Sequence, residues 1–246
     1  MQRNAPVHLM RNVTATEGFG LLFLSCASGC TDVLAFMKLG DVFTSGMTGN
    51  VALLAIAISK GHMLAAAHSL LAFAGFIFGA AMTAALYGPD PANLRRLPHV
   101  RPLFWLEIGC LAGFALIWHV ADGPTDEGVA VYMLILLSAI GMGIQGVTAR
   151  NIGPAGISTI VFTSTLINIV IFFTHSLLHG GATSRPAPDP RHQVGTFAAY
   201  AAGAILSGLL IWHGISLFAW LPLLCVVLAL ASYELAHRYD QASSPQ

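Results

Sequence analysis

Charge is what this sequence has least of: only 9% of its 246 residues are Asp, Glu, Lys or Arg, against roughly 25% in a soluble globular domain. That deficit excludes water as the main solvent of the folded chain. The 11 basic and 11 acidic residues cancel, so no basic excess points to nucleic acid and no acidic tail to a solvated partner. Cysteine is sparse too. Cys26, Cys30, Cys110 and Cys225 all lie in apolar runs and match no zinc or disulfide spacing. Cys26 and Cys30, one helical turn apart, read as small residues packing a helix interface rather than as a thiol pair. Neither a metal nor another cofactor is expected. Catalytic signatures are also missing, with no H-E-x-x-H and no G-x-S-x-G element.

What is there is apolar: 56% of the chain is hydrophobic. A helix needs about 20 apolar residues to cross a ~30 Å hydrocarbon core, and six stretches meet that: Gly18 to Met37, Met63 to Gly88, Leu103 to Val120, Val129 to Thr148, Val194 to His213 and Ile215 to Tyr233. The last two, separated only by Gly214, read as a tight helical hairpin. Arg3 and Arg11 precede the first stretch as they would a signal anchor. The expected fold class is all-α: a polytopic transmembrane bundle of about six spans plus two re-entrant or broken helices. It forms one integral membrane domain over residues 1–246, with a flexible loop at 180–192 and a polar tail at 239–246, and the lipid bilayer is its main partner.

The two odd stretches are Val42 to Ser59 and Ile157 to His179. In the first, Phe43-Thr44-Ser45-Gly46-Met47-Thr48-Gly49-Asn50 is rich in residues that break helices or bond their own backbone. A helix starting near Thr48 and ending at Ser59 is ~18 Å long, too short to span alone. Charge placement tests whether these stretches cross, because cytoplasmic loops collect Lys and Arg. If neither crosses and the amino terminus is inside, Arg3, Arg11, Arg95, Arg96, Arg101, Arg150, Arg185, Arg191 and Arg238 lie inside, with only Lys38 and Lys60 outside. If both cross, the split is six to five, which carries no bias. A seven-span form in which only the first crosses gives eight to three and stays a rival.

Six spans divide into halves of three, about 18–121 and 129–236, with the second inverted relative to the first. A 3+3 inverted repeat is a hallmark of secondary transporters. Gly29-Cys30-Thr31-Asp32-Val33 corresponds to Gly143-Ile144-Gln145-Gly146-Val147 near the ends of the first and fourth spans. Beyond that two registers compete: one sets Thr48-Gly49 on Thr163-Ser164, the other Val42 to Ser45 on Val161 to Ser164.

At Gly29-x-x-Asp32, Leu39-Gly40-x-x-Phe43 and Met47-Thr48-Gly49-Asn50, from about Gly18 to Glu234, the chain resembles the YoaK-like family of small bacterial inner-membrane proteins, a domain of unknown function. The resemblance implies about six membrane helices, a place in the bacterial inner membrane and no established activity. The chain departs from the family pattern in its second half, where Gly146 stands in place of an expected Asn and Thr163-Ser164 in place of a Thr-Gly pair.

Asp32 is the leading candidate for chemistry, since an ionisable side chain inside a span costs ~3 kcal/mol or more and is tolerated mainly facing a bundle interior or a water-filled cavity. The stretch from Thr44 to Asn50 resembles unwound transporter segments, whose exposed backbone and positive helix amino terminus bind solutes. Thr44, Ser45, Thr48, Gly49 and Asn50 are its candidate ligands, and helix capping by Thr48 or Asn50 is the plainer alternative. Gln145, Thr163, Ser164 and Asn168 would be the second-half counterparts, with inter-helix hydrogen bonding as their plainer role. Glu107, six residues after Arg101, reads as an interfacial, snorkelling acid. His68, His119, His175, His179 and His213 read as packed or interfacial. Gly75 and Gly79 form a G-x-x-x-G motif, and Gly203 and Ser207 a small-x-x-x-small analogue; both suit close helix packing, within one chain or in a homo-oligomer.

These features point to a small secondary transporter or permease moving an unknown small solute or ion, with no enzymatic activity and with both termini cytoplasmic. The alternative is a membrane scaffold or assembly protein, supported by the G-x-x-x-G face alone. A remote third is an intramembrane serine protease. Ser28 in Cys26-Ala27-Ser28-Gly29 resembles a rhomboid-type nucleophile with His213 as a conceivable base, but the leading Gly is missing.

Overall fold

A chain this apolar has no face to turn to water, so its helices must satisfy their own backbones and bury what polar groups they carry against one another. The computed structural model describes residues 7–87, 97–123, 128–152, 165–171, 174 and 190–243. Among these, every regular element is helical: α1 (Val7–Lys38), α2 (Met47–Ser59), α3 (Met63–Tyr87), α4 (Leu97–Val120), α5 (Val129–Ile152), α6 (Pro190–Trp212) and α7 (Leu221–Ser243). Six contain spans, Gly18–Lys38, Met63–Leu86, Val100–Val120, Val129–Arg150, His192–Trp212 and Leu221–Arg238, which are the six read from run length. The exception is α2, whose 13 residues reach only ~20 Å. Large side chains such as Phe78, Trp105, Leu116, Ile205 and Leu209 point outward, as lipid-facing residues do.

Contacts between helices fix their directions. Rising along α1, Gly18, Gly29 and Val33 meet His192, Ala204 and Gly208 in rising order, so α1 and α6 are parallel. Gly75 and Gly79 lie against Ala139 and Ile140, and Gly143 against Phe76 and Ala80, so α3 and α5 are parallel too. Against α7, α1 pairs Gly20 with Ala229 and Cys26 with Cys225; against α5 it pairs Leu24 and Ser28 with Gln145 and Thr31 with Met142. Both are antiparallel. The same holds for α4 and α5, where Cys110 meets Gly141 and Gly113 meets Leu137.

Thus α1, α4 and α6 run one way and α3, α5 and α7 the other. Since α3 heads back from the side where α1 ends, α2 adds no crossing. Likewise α6 starts from the side where α5 ends. The seven- and eight-span alternatives are excluded. Of the stretch between α5 and α6, residues 165–171 are helical, while 153–164 and 175–189 lie outside the described residues.

The helices pack in two groups, α1 with α6 and α7, and α5 with α3 and α4, with α2 laid against α3. The groups meet along α4 and α7 and more lightly along α1 and α5. Each therefore mixes spans from both sequence halves. One apolar core gathers Leu34, Leu39, Phe114, Trp118, Ile135 and Phe218, and another Leu24, Phe104, Leu111, Val226 and Ala229.

Three boundaries differ from the sequence reading. The link between α6 and α7 is longer than Gly214 alone: after that glycine, at φ +67°, a 3-10 turn over Ser216–Ala219 precedes α7. The helix α7 continues to Ser243 into the expected tail, and α6 begins at Pro190 inside the expected loop.

Candidate functional site

The chain breaks between α1 and α2 because residues 39–46 cannot continue either helix. Gly40 and Asp41 take left-handed conformations, φ +82° and +58°, which only glycine adopts freely. A side chain at Gly40 would also strike the His68 imidazole. The segment turns back to Asp32, which lies six residues before the end of α1, ~9 Å along the helix.

There the carboxylate collects four donors. Its Oδ1 accepts the backbone N–H groups of Thr44 at 2.9 Å and Ser45 at 2.7 Å. Its Oδ2 accepts the Ser45 hydroxyl at 2.6 Å and the Tyr200 hydroxyl of α6 at 2.9 Å. Asp32 is 2% exposed. Two oxygens offer about four lone-pair sites, so this carboxylate is saturated, and the cost of placing it in the bundle is offset by charge-assisted bonds. Anything that binds at Asp32 must first displace the loop or the phenol.

Asn50 closes the other side of the break. Its Oδ1 accepts the Phe43 N–H at 2.8 Å and its Nδ2 donates to the Phe43 carbonyl, so Asn50 clamps the loop. The residue that caps α2 is Gly46, with no side-chain cap bond. The Phe43 ring stacks on Phe36 with centroids 5.1 Å apart, and a Cβ at Gly49 would lie 2.8 Å from that ring. Of the three short motifs in this region, Asp32, Gly40, Phe43, Gly49 and Asn50 thus have a mechanical role in the break, whereas Gly29 packs on α6 and Leu39 in the apolar core. Thr48 is exposed. Thr44 Oγ1 is fully buried and has no hydrogen-bond partner among the described residues.

Of the second-half candidates, Gln145 and Asn168 lie among the described residues. Gln145 is fully buried, but its Nε2 donates to the Leu24 carbonyl at 2.9 Å and to Ser28 Oγ at 2.7 Å, an inter-helix bond between α5 and α1. Asn168 is half-buried in residues 165–171. Thr163 and Ser164 lie outside the described residues, as do His175 and His179. His119 accepts the Trp220 indole N–H at 3.0 Å, and His68 stands edge-on to Tyr132. Ser28 is buried against Gln145, whereas His213 is exposed beyond the end of α6; the α6 residues level with Gly29 are Tyr200 and Ala204. The structure does not bring Ser28 and His213 together.

Glu107 corrects a sequence expectation. It is not interfacial but 0% exposed, with neither carboxylate oxygen hydrogen-bonded among the described residues. It shares the face of α4 that carries Phe104 and Leu111 into the core, and the antiparallel register sets it level with Gln145. The G-x-x-x-G question also resolves. Gly75 and Gly79 pack on α5, Gly203 on Cys26, and Ser207 Oγ donates to the Cys30 carbonyl at 3.2 Å. Both seams lie within the chain. Sequence reading missed Tyr200, which lies in an apolar run with nothing to single it out, and Cys225, which stands beside Cys26 and Cys30.

Six helices long and apolar enough to span a membrane, three running each way, with a short helix clasped after the first, define a polytopic helical membrane protein. More particularly, the chain belongs to the family described as "Protein of unknown function (DUF1275)", whose pattern it matches over residues 20–232. It is 30% identical over 207 residues to the UPF0700 transmembrane protein YoaK of Bacillus subtilis (strain 168), covering 84% of this chain and 89% of that protein. No solved structure matches it.

Proposed function

We propose that the chain is a small secondary transporter or permease for a small solute, in which Asp32 couples ligand or proton binding to movement of the two helix groups. The observation that carries this reading is the clasp: one carboxylate in α1 holds the loop leading to α2 and α3 and also Tyr200 of α6. A proton or cation on Asp32 competes with those donors. Occupancy and loop release are then one event, which is the linkage a transporter needs.

The packing supports an inverted repeat. The shift that carries Gly29 onto Gly143 also carries Cys26 onto Ile140, Ser28 onto Met142 and Thr31 onto Gln145. The shift that carries Gly79 onto Gly203 carries Phe76 onto Tyr200 and Ala80 onto Ala204. Under these shifts Gly29 on Tyr200 and Ala204 matches Gly143 on Phe76 and Ala80, and Gly203 on Cys26 matches Gly79 on Ile140. Thr31 with Met142 likewise matches Gln145 with Ser28. Asp32 falls on Gly146 and Tyr200 on Phe76, so the clasp belongs to one half only. In this reading the moving bodies are the two mixed helix groups rather than the sequence halves. The Arg-rich side of the six-span arrangement is cytoplasmic, with both termini there, in a bacterial inner membrane.

No catalytic step is part of this reading. The scaffold reading loses its support, since Gly75, Gly79, Gly203 and Ser207 are engaged within the chain.

The test is uptake by vesicles of purified chain with a trapped pH-sensitive dye and a panel of radiolabelled small amino acids and carboxylic acids. Wild type is expected to take up at least one solute, with or without a dye response, and Asp32→Asn to abolish that uptake. Wild-type vesicles no faster than empty ones across the panel, or undiminished uptake by Asp32→Asn, would overturn the proposal.

A further inference from the structure

Three of the four cysteines converge inside the group formed by α1, α6 and α7, although α7 is remote from α1 in sequence. The Sγ atoms of Cys26, Cys30 and Cys225 all lie within 4.8 Å of one another, and the Cys225 thiol donates to Cys26 Sγ at 3.6 Å. Cys30 and Cys225 are buried and Cys26 is partly exposed. A built surround orients it. The Cys30 thiol donates to the Gly203 carbonyl at 3.3 Å, and a Cβ at Gly203 would stand 3.0 Å from Cys26 Sγ. That Cβ would strike the Cys26 carbonyl first, so glycine there is what lets α6 approach α1 this closely.

Three sulfurs bound to one ion at about 2.3 Å stand about 4 Å apart in a trigonal plane, close to the spacing found. Sulfur-only ligation selects soft ions such as Cu(I), Zn(II) or the iron of clusters. Zinc in structural sites takes four ligands, and among the described residues no fourth His, Cys, Asp or Glu joins the three. A monovalent ion that displaces one thiol proton bonds one thiolate and takes the other two sulfurs as neutral thiol donors, which leaves the assembly neutral in a medium where net charge is costly. A divalent ion that displaced two protons would be neutral as well, so it is the count of three ligands that favours Cu(I) over zinc.

We propose that Cys26, Cys30 and Cys225 form an intramembrane site for a soft monovalent cation, with Cu(I) as the chemical class of ligand. Binding replaces one S–H bond by an S–Cu bond and releases one proton to solvent, with no change of oxidation state. The site is independent of the Asp32 clasp and of any transport activity.

The experiment uses the full chain in detergent, kept reduced by a thiol-free reductant and titrated with Cu(I) buffered by a chromogenic chelator. Wild type and Cys110→Ser are expected to hold about one copper per chain, and Cys26→Ser and Cys225→Ser to lose it. Alkylation of Cys26 in wild type, followed by mass spectrometry, should slow when copper is bound; this readout needs no variant to fold. Zn(II) offered in the same way should not be retained. No copper retention, equal retention by the Cys26→Ser and Cys225→Ser variants, an unchanged Cys26 alkylation rate, or preferential retention of zinc would each overturn the proposal. So would a Cys26–Cys225 disulfide persisting under the reductant.

Discussion

At the scale of single residues, Asp32 does from a neighbouring helix what a capping side chain does locally: it accepts backbone N–H groups that the broken segment leaves over. Its identity as the chain's chief polar feature could be read from one acid in an apolar run. Its partners could not, because Tyr200 is separated from it by most of the chain and hydrogen bonds are made in space. Tyr200→Phe should destabilise the folded protein by about 2 kcal/mol, the usual scale for a bond to a charged group. Gly49→Ala should cost about 1–3 kcal/mol by overpacking the Phe43 ring. Thr48→Ala, at an exposed hydroxyl, should stay within about 0.5 kcal/mol. Denaturant melts in detergent would compare the three. A Tyr200→Phe midpoint equal to that of Thr48→Ala would mean that the phenol contributes nothing to holding Asp32.

At the scale of elements, α2 was legible because its start is written in helix breakers and its length falls short of a bilayer. The structure begins it at Met47, one residue from the sequence estimate. The α6–α7 link was not legible, since an apolar 3-10 turn, Ser216–Ala219, has the composition of a helix. That α2 adds no crossing makes a direct prediction. Single cysteines replacing Lys38 and Lys60, in a cysteine-free background, should both react with an impermeant maleimide added to the same face of sealed vesicles. Labelling of the two from opposite faces would restore a crossing α2 and sink the six-span arrangement.

At the scale of the whole molecule, the polar ties between the helix groups include the Gln145 bonds from α5 to α1 and two contacts near the ends of α4. Arg101 pairs with Glu234 of α7 at 3.0 Å, both partly exposed. At the other end, His119 receives the Trp220 indole N–H. If the groups rock against each other, each contact must open in turn. A disulfide between cysteines at 101 and 234, or between cysteines at 119 and 220, should therefore arrest transport, and a reductant should restore it. Full activity in both locked forms would exclude this movement.

By itself the sequence determined that the chain is a membrane bundle, where its six spans lie and where its first helix breaks, because these follow from run length, charge and backbone propensity, which are local. Only the tertiary structure decided which helices run parallel, that the two halves exchange partners, and which side chains meet Asp32 and Cys26. Those facts depend on close approach between distant segments, and in a chain with so little charge nothing along the sequence marks which apolar face packs against which.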